Sequence, residues 1–307
     1  MSPQNTRILP YGPAAIAEAA KLILSGAPVA MPTETVYGLA ADAADGNAVA
    51  RIYEAKGRPA FNPLIVHVDG LALAKTLARF GDAAIALAER HWPGPLTLVL
   101  PIRDGAPVAS LVTAGLDTIA LRAPAHPAMR DLLAAVGRPL AAPSANSSGR
   151  ISPTRAEHVF AGLGGRIPLI VDAGPTSLGL ESTIVAETGA GLKLLRPGPI
   201  DLGLPVAAAD RIQAPGQLAS HYAPAKPVRL DAIVAEPDEW LIGFGPVAGH
   251  ASLSGSGDLI EAASRLFDML HEAEAALPPR IAVAPIPQIG LGVAINDRLK
   301  RAAAPRS

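Results

Sequence analysis

The chain has 307 residues, of which half are hydrophobic, so it is long enough for two domains that each bury a core. Its 26 basic and 27 acidic side chains leave a formal charge of −1, which disfavours a protein that binds a long nucleic-acid backbone. The absence of cysteine excludes disulfides and thiolate metal ligands. Because no apolar run is long enough to span a bilayer, the sequence predicts a soluble cytoplasmic protein without membrane contact.

The first two thirds of the chain predict alternating strands and helices. Pro13–Gly26 is typical of a helix, because proline lies in its first turn, apolar residues recur on one face and a glycine stops it. Further helices are predicted around Asn47–Ala55 and through the alanine-rich stretch up to Trp92. The predicted strands are Pro28–Met31, Leu64–Val68, Leu96–Ile102, Thr118–Arg122, Pro139–Ala142, Leu169–Asp172, Thr183–Glu187 and Leu192–Leu195. Strands joined both by helices and by short turns such as Thr188–Gly191 predict an α/β protein with a mixed sheet.

The pattern changes after Pro199. Pro205–Pro227 is rich in proline, alanine and glycine and has no sustained periodicity, so we interpret it as a linker. A small α/β domain is predicted beyond it. Its predicted elements are the strands Val228–Val234, Trp240–Phe244 and Ile281–Ala284 and the helices Asp258–Leu277 and Leu291–Ala302.

Polar residues follow directly after the strand predicted at Pro28–Met31. The segment Pro32–Leu39 contains two threonines and a glutamate, and loops at strand ends commonly bind ligands. A structural role is the alternative, with Thr33 or Thr35 capping a helix and Tyr37 packed in the core. This segment alone does not decide between the two interpretations.

A pair of cations follows the helix predicted around Asn47–Ala55. Lys56 supplies a compact charge and Arg58 a planar fork, a pair suited to phosphate oxygens. The alternative is a solvated charge at a helix C-terminus, where cations are favoured. His67 lies in the next apolar strand, where a core histidine with satisfied hydrogen bonds is the alternative to a ligand contact.

Two further strands also carry polar residues. Thr118 and Arg122 share one face of their strand, and a buried arginine needs either a ligand anion or a structural Asp or Glu. Pro143–Gly149 follows an apolar strand and precedes Ser152, where a helix is predicted to start. Small hydroxyls and an amide before a helix suit phosphate or carboxylate, and ordinary N-capping by Ser152 is the alternative.

The common catalytic templates are missing from the sequence. It contains no Walker A loop, no dinucleotide fingerprint, no HExxH and no GxSxG motif. Polar groups do lie at strand edges in Glu181–Val185 and Leu195–Gly198, although neither motif is specific alone. The chemistry must therefore use another scaffold.

Taken together, the motifs resemble the YrdC-like family in order and spacing. The matching residues are Pro32–Gly38, Lys56–Pro59, Asn62, Pro63, His67, Ser144–Asn146, Glu181–Thr183 and Leu195–Gly198. Pro215–Gln217 and His221–Pro224 resemble the linker of the family's two-domain members, so the resemblance covers nearly the whole chain. It implies a YrdC-like twisted mixed sheet with helices in residues 1–204, a linker over 205–227 and a small Rossmann-like α/β domain in 228–307.

The resemblance also implies an activity and a set of site residues. L-threonine, bicarbonate and ATP would give threonylcarbamoyl-adenylate and pyrophosphate, and a separate transferase complex would use this product to modify tRNA next to the anticodon. The implied L-threonine-binding residues are Thr35, His67, Arg122 and Ser182. The implied ATP-binding residues are Arg58, Asn62, Thr118, Ala142, Ser144, Ser152 and Arg196, and the implied catalytic, phosphate-handling residues are Lys56, Arg58, Ser144 and Asn146. His221 and Tyr222 would form a lid, with a plain tether as the alternative.

The implied adenylation needs cations that offset phosphate charge, and it needs no protein nucleophile. Magnesium is expected to arrive with ATP, held mostly by substrate oxygens and water, and no protein metal ligand is predicted. Because carbamates are short-lived in water, the site should exclude solvent until the product forms.

Three other functions are alternatives to the adenylation. An RNA-binding module would use Lys56, Arg58, Arg122 and Arg196 on a concave surface, but the net charge of −1 and the 4% aromatic content argue against it. Family members that work on carbamoyl phosphate within larger maturation proteins carry cysteine motifs, which this chain lacks. A regulator that binds nucleotide or threonine without catalysis stays open.

Overall fold

The computed structural model describes residues 5–207, 214–218 and 220–305, and within them it contains two β-sheets. The strands of the larger sheet are β1 (Arg7–Pro10), β2 (Val29–Met31), β3 (Gly38–Asp42), β4 (Ile65–His67), β5 (Leu96–Pro101), β6 (Thr118–Arg122), β7 (Leu140–Ala141), β8 (Leu169–Asp172), β9 (Thr183–Thr188) and β10 (Gly191–Arg196). The helices in this part are α1 (Pro13–Leu24), α2 (Gly46–Lys56), α3 (Leu71–Leu77), α4 (Asp82–His91), α5 (Ser110–Thr113), α6 (Pro127–Val136) and α7 (Ala156–Leu163). The smaller sheet comprises β11 (Val228–Arg229), β12 (Glu239–Gly243), β13 (Ala251–Ser252) and β14 (Arg280–Val283), accompanied by α8 (Leu259–Ala275) and α9 (Leu291–Ala303).

The larger sheet mixes parallel and antiparallel pairs, which confirms the predicted fold class. Its strand order is β1-β8-β2-β3-β7-β4-β6-β5-β9-β10. β4 and β6 run parallel with His67 opposite Arg122, so two polar side chains lie next to each other at the end of two central strands. The smaller sheet has the order β11-β14-β12-β13, and its pairs are parallel.

Most predicted elements are present with shifts of one or two residues at their ends. α1 begins at Pro13, β6 covers Thr118–Arg122, and β9 and β10 form the predicted antiparallel hairpin. The strand predicted at Val228–Val234 is wrong beyond Arg229, because Asp231 has a left-handed backbone (φ 56°) that ends the extended conformation. The predicted linker 205–227 lies partly outside the described residues, and the domain boundaries stay a prediction.

Several elements were not predicted. β3 has the sequence Gly-Leu-Ala-Ala-Asp, which lacks β-branched residues, and it forms through antiparallel pairing with β2 and β7. β1, β13 and the helices α5 and α6 were also missed. For α6 a signal was available, because Pro127 starts it and Met129, Leu132, Leu133 and Val136 are buried on one face.

The smaller sheet and its helices pack directly on the larger part of the chain. One buried apolar cluster joins the two parts and includes Val36, Ile151, Leu180, Leu266, Phe267 and Leu270. Polar contacts surround it: Asp268 of α8 accepts a hydrogen bond from Thr154 and forms a 2.8 Å ion pair with Arg155. Gly179 approaches α8 so closely that a Cβ there would lie 2.4 Å from the carbonyl oxygen of Ser264.

We expect Gly179→Ala to destabilise the protein more than Gly174→Ala. Both glycines have left-handed φ values (66° and 77°), so each alanine costs about 1 kcal/mol of backbone strain. Only at Gly179 would the methyl group also collide with α8, which adds about 1–3 kcal/mol, whereas a Cβ at Gly174 meets nothing within 4 Å. Urea unfolding of the two variants measures the difference, and equal midpoints would contradict the close contact with α8.

Candidate functional site

The candidate site is a cavity between the end of the central strands of the larger sheet and the segment around His221; we call it the central cavity. Its lining residues are Thr33, Thr35, Val36, Gly38, Arg58, Ile65, His67, Arg122, Ala142, Pro143, Ser144, Glu181, Ser182, Arg196, Pro215, Gly216, His221 and Tyr222. It therefore brings together all four predicted threonine-binding residues, part of the predicted ATP set and both predicted lid residues. Lys56, Asn62, Thr118, Asn146 and Ser152 do not line it, and the roles of all these residues stay predictions.

Arg122 is a buried residue of the cavity lining and binds a protein carboxylate. Its guanidinium donates to Glu34 Oε1 at 2.7 Å, to Thr35 Oγ1 at 2.9 Å and to the carbonyl oxygen of Gly94 at 3.2 Å. Of the two partners that the sequence left open, the structure therefore shows the structural carboxylate. Burial raises the pKa of Glu34, but the charge and hydrogen bond of Arg122 outweigh it and hold that pKa below its usual range. A ligand carboxylate here would have to share Arg122 with Glu34.

His67 lies beside Arg122, and its ring nitrogens are unsatisfied. Its side chain is buried, and neither ring nitrogen has a hydrogen-bond partner among the described residues. Burial, together with the positive charge of Arg122, lowers the pKa of His67 to about 3, so the ring is neutral near pH 7 with one donor and one acceptor nitrogen. Because buried polar groups are normally hydrogen-bonded, the alternative of a satisfied core histidine is wrong.

Lys56 organises the Ser144–Asn146 loop from behind the cavity wall. It is only 2% exposed, and its Nζ donates to the carbonyl oxygens of Ser144 and Asn146, both at 2.6 Å. The alternative of a solvated helix-end charge is therefore wrong. Burial lowers the pKa of Lys56 well below its usual range, and the nearby charges of Arg58 and Arg166 add to this effect. Ser144 lines the cavity and donates to the Asn146 side chain at 2.6 Å.

Two further buried guanidinium groups, those of Arg58 and Arg196, line the central cavity. Arg58 donates to the carbonyl oxygens of Asn62 (3.1 Å) and Pro63 (2.8 Å), and Arg196 donates to that of Ser182 (2.9 Å). Neither forms an ion pair with a carboxylate among the described residues. Burial lowers the pKa of Arg58 to about 10, which still leaves it positive at neutral pH. Buried charges of this kind favour an anionic partner.

Asn62 and Ser152 are buried close to this region without lining the cavity. Neither the amide oxygen nor the amide nitrogen of Asn62 has a hydrogen-bond partner among the described residues, as at His67. Ser152 donates to Glu181 instead of capping a helix, and α7 begins at Ala156 with Arg155 before it. N-capping by Ser152 is therefore wrong.

The described part of the 214–222 segment covers the central cavity. Tyr222 is 1% exposed, adopts a left-handed backbone (φ 61°) and contacts the His221 ring with centroids 4.1 Å apart. Gly216 permits this close packing, because a Cβ there would lie 2.6 Å from the Tyr222 hydroxyl and 3.1 Å from Arg196 Nη1. The segment therefore contacts the same arginine that lines the cavity floor.

Sequence reasoning missed three residues of this arrangement. Glu34 neutralises Arg122, Glu181 accepts the hydroxyl of Ser152, and Arg298 of α9 donates to Glu181 from the far end of the chain. Glu34 and Glu181 both lie inside the motifs, but spacing alone did not reveal their partners. For Arg298 the only signal was its place within an otherwise apolar helical face.

The fold and the cavity define an α/β protein with a buried cavity that three arginines line. Arg122 is paired with a carboxylate, whereas among the described residues Arg58 and Arg196 are not. Among the described residues no group of three or more His, Asp or Glu side chains is arranged to hold a metal ion. No described helix is long and apolar enough to cross a membrane.

Comparison with known proteins shows the family to which the chain belongs. A family profile named for Sua5, YciO and YrdC, described as "Telomere recombination", matches residues 21–198, and one described as "Threonylcarbamoyl-AMP synthase, C-terminal domain" matches residues 192–304. The threonylcarbamoyl-AMP synthases of Pyrococcus abyssi and Bacillus subtilis are each 39% identical, over 92% and 95% of this chain and 92% and 93% of their own lengths. The crystal structure of P. abyssi Sua5 complexed with L-threonine has 37% identity, a TM-score of 0.89 and 97% coverage of both chains.

This chain therefore belongs to the Sua5/YciO/YrdC family, which confirms the resemblance seen in the motifs. The names of its full-length relatives make it an enzyme of the nucleotidyltransferase kind.

We predict that stability falls as the pH drops below about 6.5, because of histidines that are buried in the neutral state. Burial lowers the pKa of His67 to about 3 and that of His158 to about 4, and it lowers the pKa of His221 well below its usual range. Below pH 6.5 these side chains bind protons in the unfolded chain but not in the folded one, so each removes up to about 1.4 kcal/mol per pH unit. Unfolding free energies between pH 7 and 4 test this, and the slope should be shallower in His67→Asn than in the unsubstituted protein. Identical slopes would contradict the neutral state of His67.

Proposed function

We propose that the protein is an L-threonylcarbamoyladenylate synthase, which forms threonylcarbamoyl-AMP and pyrophosphate from L-threonine, bicarbonate and ATP. The observation that carries the proposal is that two unlike groups of residues line the central cavity. Thr35 and His67 adjoin Arg122, which is paired with Glu34, whereas Arg58 and Arg196 have no carboxylate partner among the described residues. We propose that the part of the cavity around Arg122 holds threonine and that the part around Arg58 and Arg196 holds the nucleotide, and we call these parts its two ends. The relatives named for this activity, and the relative complexed with L-threonine, support the assignment.

The end that contains Arg122 is suited to an amino acid. The guanidinium, shared between Glu34 and Thr35, provides donors for the substrate carboxylate, and the Glu34 charge limits the net positive potential there. The neutral His67 ring offers both a donor and an acceptor to the polar groups of threonine. Ser182, whose hydroxyl hydrogen-bonds Thr97 at 2.7 Å and accepts from Arg196 at 3.1 Å, supplies one more hydroxyl and links the proposed threonine site to Arg196.

The end that contains Arg58 and Arg196 is suited to the nucleotide. Two unpaired guanidinium groups are able to offset charge on the phosphates, and the Ser144–Asn146 loop provides a hydroxyl and backbone groups beside them. Magnesium would enter with ATP, held by phosphate oxygens and water. The ATP-binding roles of Asn62, Thr118, Ala142 and Ser152 belong to the same proposal.

The reaction needs no protein nucleophile. The threonine amine and bicarbonate form a C–N bond and lose water to give a carbamate. A carbamate oxygen then attacks the α-phosphorus of ATP, so that one P–O bond forms while the P–O bond to pyrophosphate breaks. The buried arginines stabilise the negative charge that this displacement moves onto pyrophosphate. His221 and Tyr222 close the cavity and keep water from the carbamate.

We further propose that the product leaves for a transferase complex that modifies tRNA, in the cytoplasm. Direct RNA binding by this chain is disfavoured, because Arg58, Arg122 and Arg196 are each less than 9% exposed and an RNA backbone cannot reach them. A regulator without catalysis would have the same cavity, and only turnover distinguishes it from the enzyme.

The decisive measurement is pyrophosphate release from ATP, with and without L-threonine and bicarbonate, combined with mass spectrometry of the nucleotide product. We expect release to require both co-substrates and to yield the mass of threonylcarbamoyl-AMP. Binding of ATP and threonine without release would support the regulator. Salt-sensitive tRNA binding without turnover would support the RNA-binding module.

We predict that Lys56→Ala and Arg58→Ala each lower kcat/KM by about 100-fold, which corresponds to roughly 3 kcal/mol of transition-state stabilisation. Arg58→Ala removes a buried cation, and Lys56→Ala releases the loop that its ammonium group holds at 2.6 Å. Arg79→Ala is the matched control, because Arg79 is exposed and its one ion pair within the described part of the chain is with exposed Asp104. Unchanged rates in both site variants would contradict the phosphate roles.

A further inference from the structure

Arg298 is a charged side chain in the last helix of the chain, yet it is completely buried. Its Nε donates to Glu181 Oε2 at 3.0 Å, and its Nη1 donates to the carbonyl oxygen of Pro197 at 2.6 Å. Nη2 reaches the carbonyl oxygen of Glu181 at 3.3 Å. A residue of α9 thus binds two loops of the larger part of the chain from 117 and 101 positions away.

The contacts of Arg298 lead directly into the central cavity. Glu181 lines the cavity, and its second carboxylate oxygen accepts the Ser152 hydroxyl, so both oxygens are fixed. The next residue, Ser182, receives three hydrogen bonds from the guanidinium of Arg196, two at its carbonyl oxygen and one at its hydroxyl. The position of Arg196 therefore depends on the strand end that Arg298 holds.

The same helix also holds the segment that covers the cavity. The Arg298 guanidinium lies 5.5 Å from the centre of the Tyr222 ring, within the range of a cation–π contact. One turn along, Arg301 donates to the carbonyl oxygen of Leu218 at 2.6 Å, and its own carbonyl accepts the His221 amide at 3.2 Å. The strand end that carries Ser182, which forms part of the cavity floor, and the 214–222 segment, which forms its cover, are thus attached to one face of α9.

We propose that Arg298 is a positioning residue, which fixes the Glu181 carboxylate and the Tyr222 ring so that the nucleotide end of the central cavity takes its closed shape. For the identity of the ligand the inference rests on the proposed synthase function. It assigns the C-terminal part of the chain a role in the site itself, through α9.

Simple docking of the two parts would not require this arginine. A buried ion pair contributes little net stability, and apolar side chains of similar volume often replace one without loss. What an apolar residue cannot do is orient a carboxylate and two carbonyl oxygens at once, which the planar guanidinium does here. The contacts of Arg298 are therefore explained better by a role in positioning Glu181 and its neighbours than by a role in holding the two parts of the chain together.

The test compares Arg298→Met and Arg298→Lys with the unsubstituted protein. Arg265→Met is the matched control, because Arg265 pairs with Glu261 within α8 and lies apart from the cavity. The first readout is hydrogen exchange at the His221 and Ala223 amides, referred to the Ala284 amide, which donates to Ile242 in the smaller sheet. The second is ATP affinity by equilibrium dialysis without co-substrates, and the third is KM and kcat for ATP in the pyrophosphate assay.

We expect Arg298→Met to raise exchange at His221 and Ala223 by about tenfold or more while Ala284 stays protected. ATP binding should weaken by about tenfold, and Arg298→Lys should restore part of it. Exchange at His221 and ATP affinity that both stay within about twofold of the unsubstituted protein would overturn the proposal. An equal rise at Ala284 would also overturn it, since Arg298 would then act only on overall stability.

Two further arms keep the outcome decisive. If Arg298→Met does not fold, Arg301→Met takes its place, because Arg301 is partly exposed and holds Leu218 in the same segment; unchanged exchange at His221 in that variant would count against the role of α9. If the unsubstituted protein shows no synthase turnover, the proposed function fails, while exchange and ATP affinity still decide whether Arg298 positions the site.

Discussion

The arrangement of the site depends on two arginines that are buried without a carboxylate partner among the described residues. Taking a guanidinium out of water is costly, and at Arg58 and Arg196 the cost is offset by backbone carbonyl oxygens and, at Arg196, by the Ser182 hydroxyl. Carbonyl dipoles orient the groups but leave their charge uncancelled. The cavity therefore keeps a local positive potential inside a chain whose net charge is −1, and an anion gains more there than it would on an exposed surface.

Arg122 differs from these two arginines in having a carboxylate partner. That arginine is nearly cancelled by Glu34, so a ligand carboxylate meets hydrogen-bond donors but little net charge. Glu181, which also lines the cavity and acts on Arg196, is already paired with Arg298. Under the proposed function this difference favours the phosphates of ATP near Arg58 and Arg196. His67, neutral at pH 7, lies beside the neutralised Arg122.

Much of the site was predictable because chemistry and chain order agree. Arg122 and His67 end the neighbouring parallel strands β6 and β4, so their proximity follows from sheet geometry. The Ser144 loop follows β7, which runs antiparallel to β4, and it therefore emerges beside the start of β4 at Ile65. What sequence reasoning could not supply were partners set by tertiary packing, such as Glu34 for Arg122 or Arg298 for Glu181. β3 was missed for a related reason, since its alanines form a strand only because β2 and β7 flank it.

The floor and the cover of the central cavity are attached to the rest of the protein in different ways, and the proposed reaction needs a site that opens to substrates and then excludes water. The floor consists of strand ends within a ten-stranded sheet, which resists deformation. The cover is an irregular segment held by α9 through Arg298 and Arg301 and by the Ala223 amide on the Gly149 carbonyl. A few polar contacts break and re-form more easily than a sheet, so we expect local opening to begin in the cover. Because Arg298 contacts both the Tyr222 ring and the strand end that carries Ser182, its proposed positioning role links the cover to the residue that Arg196 binds.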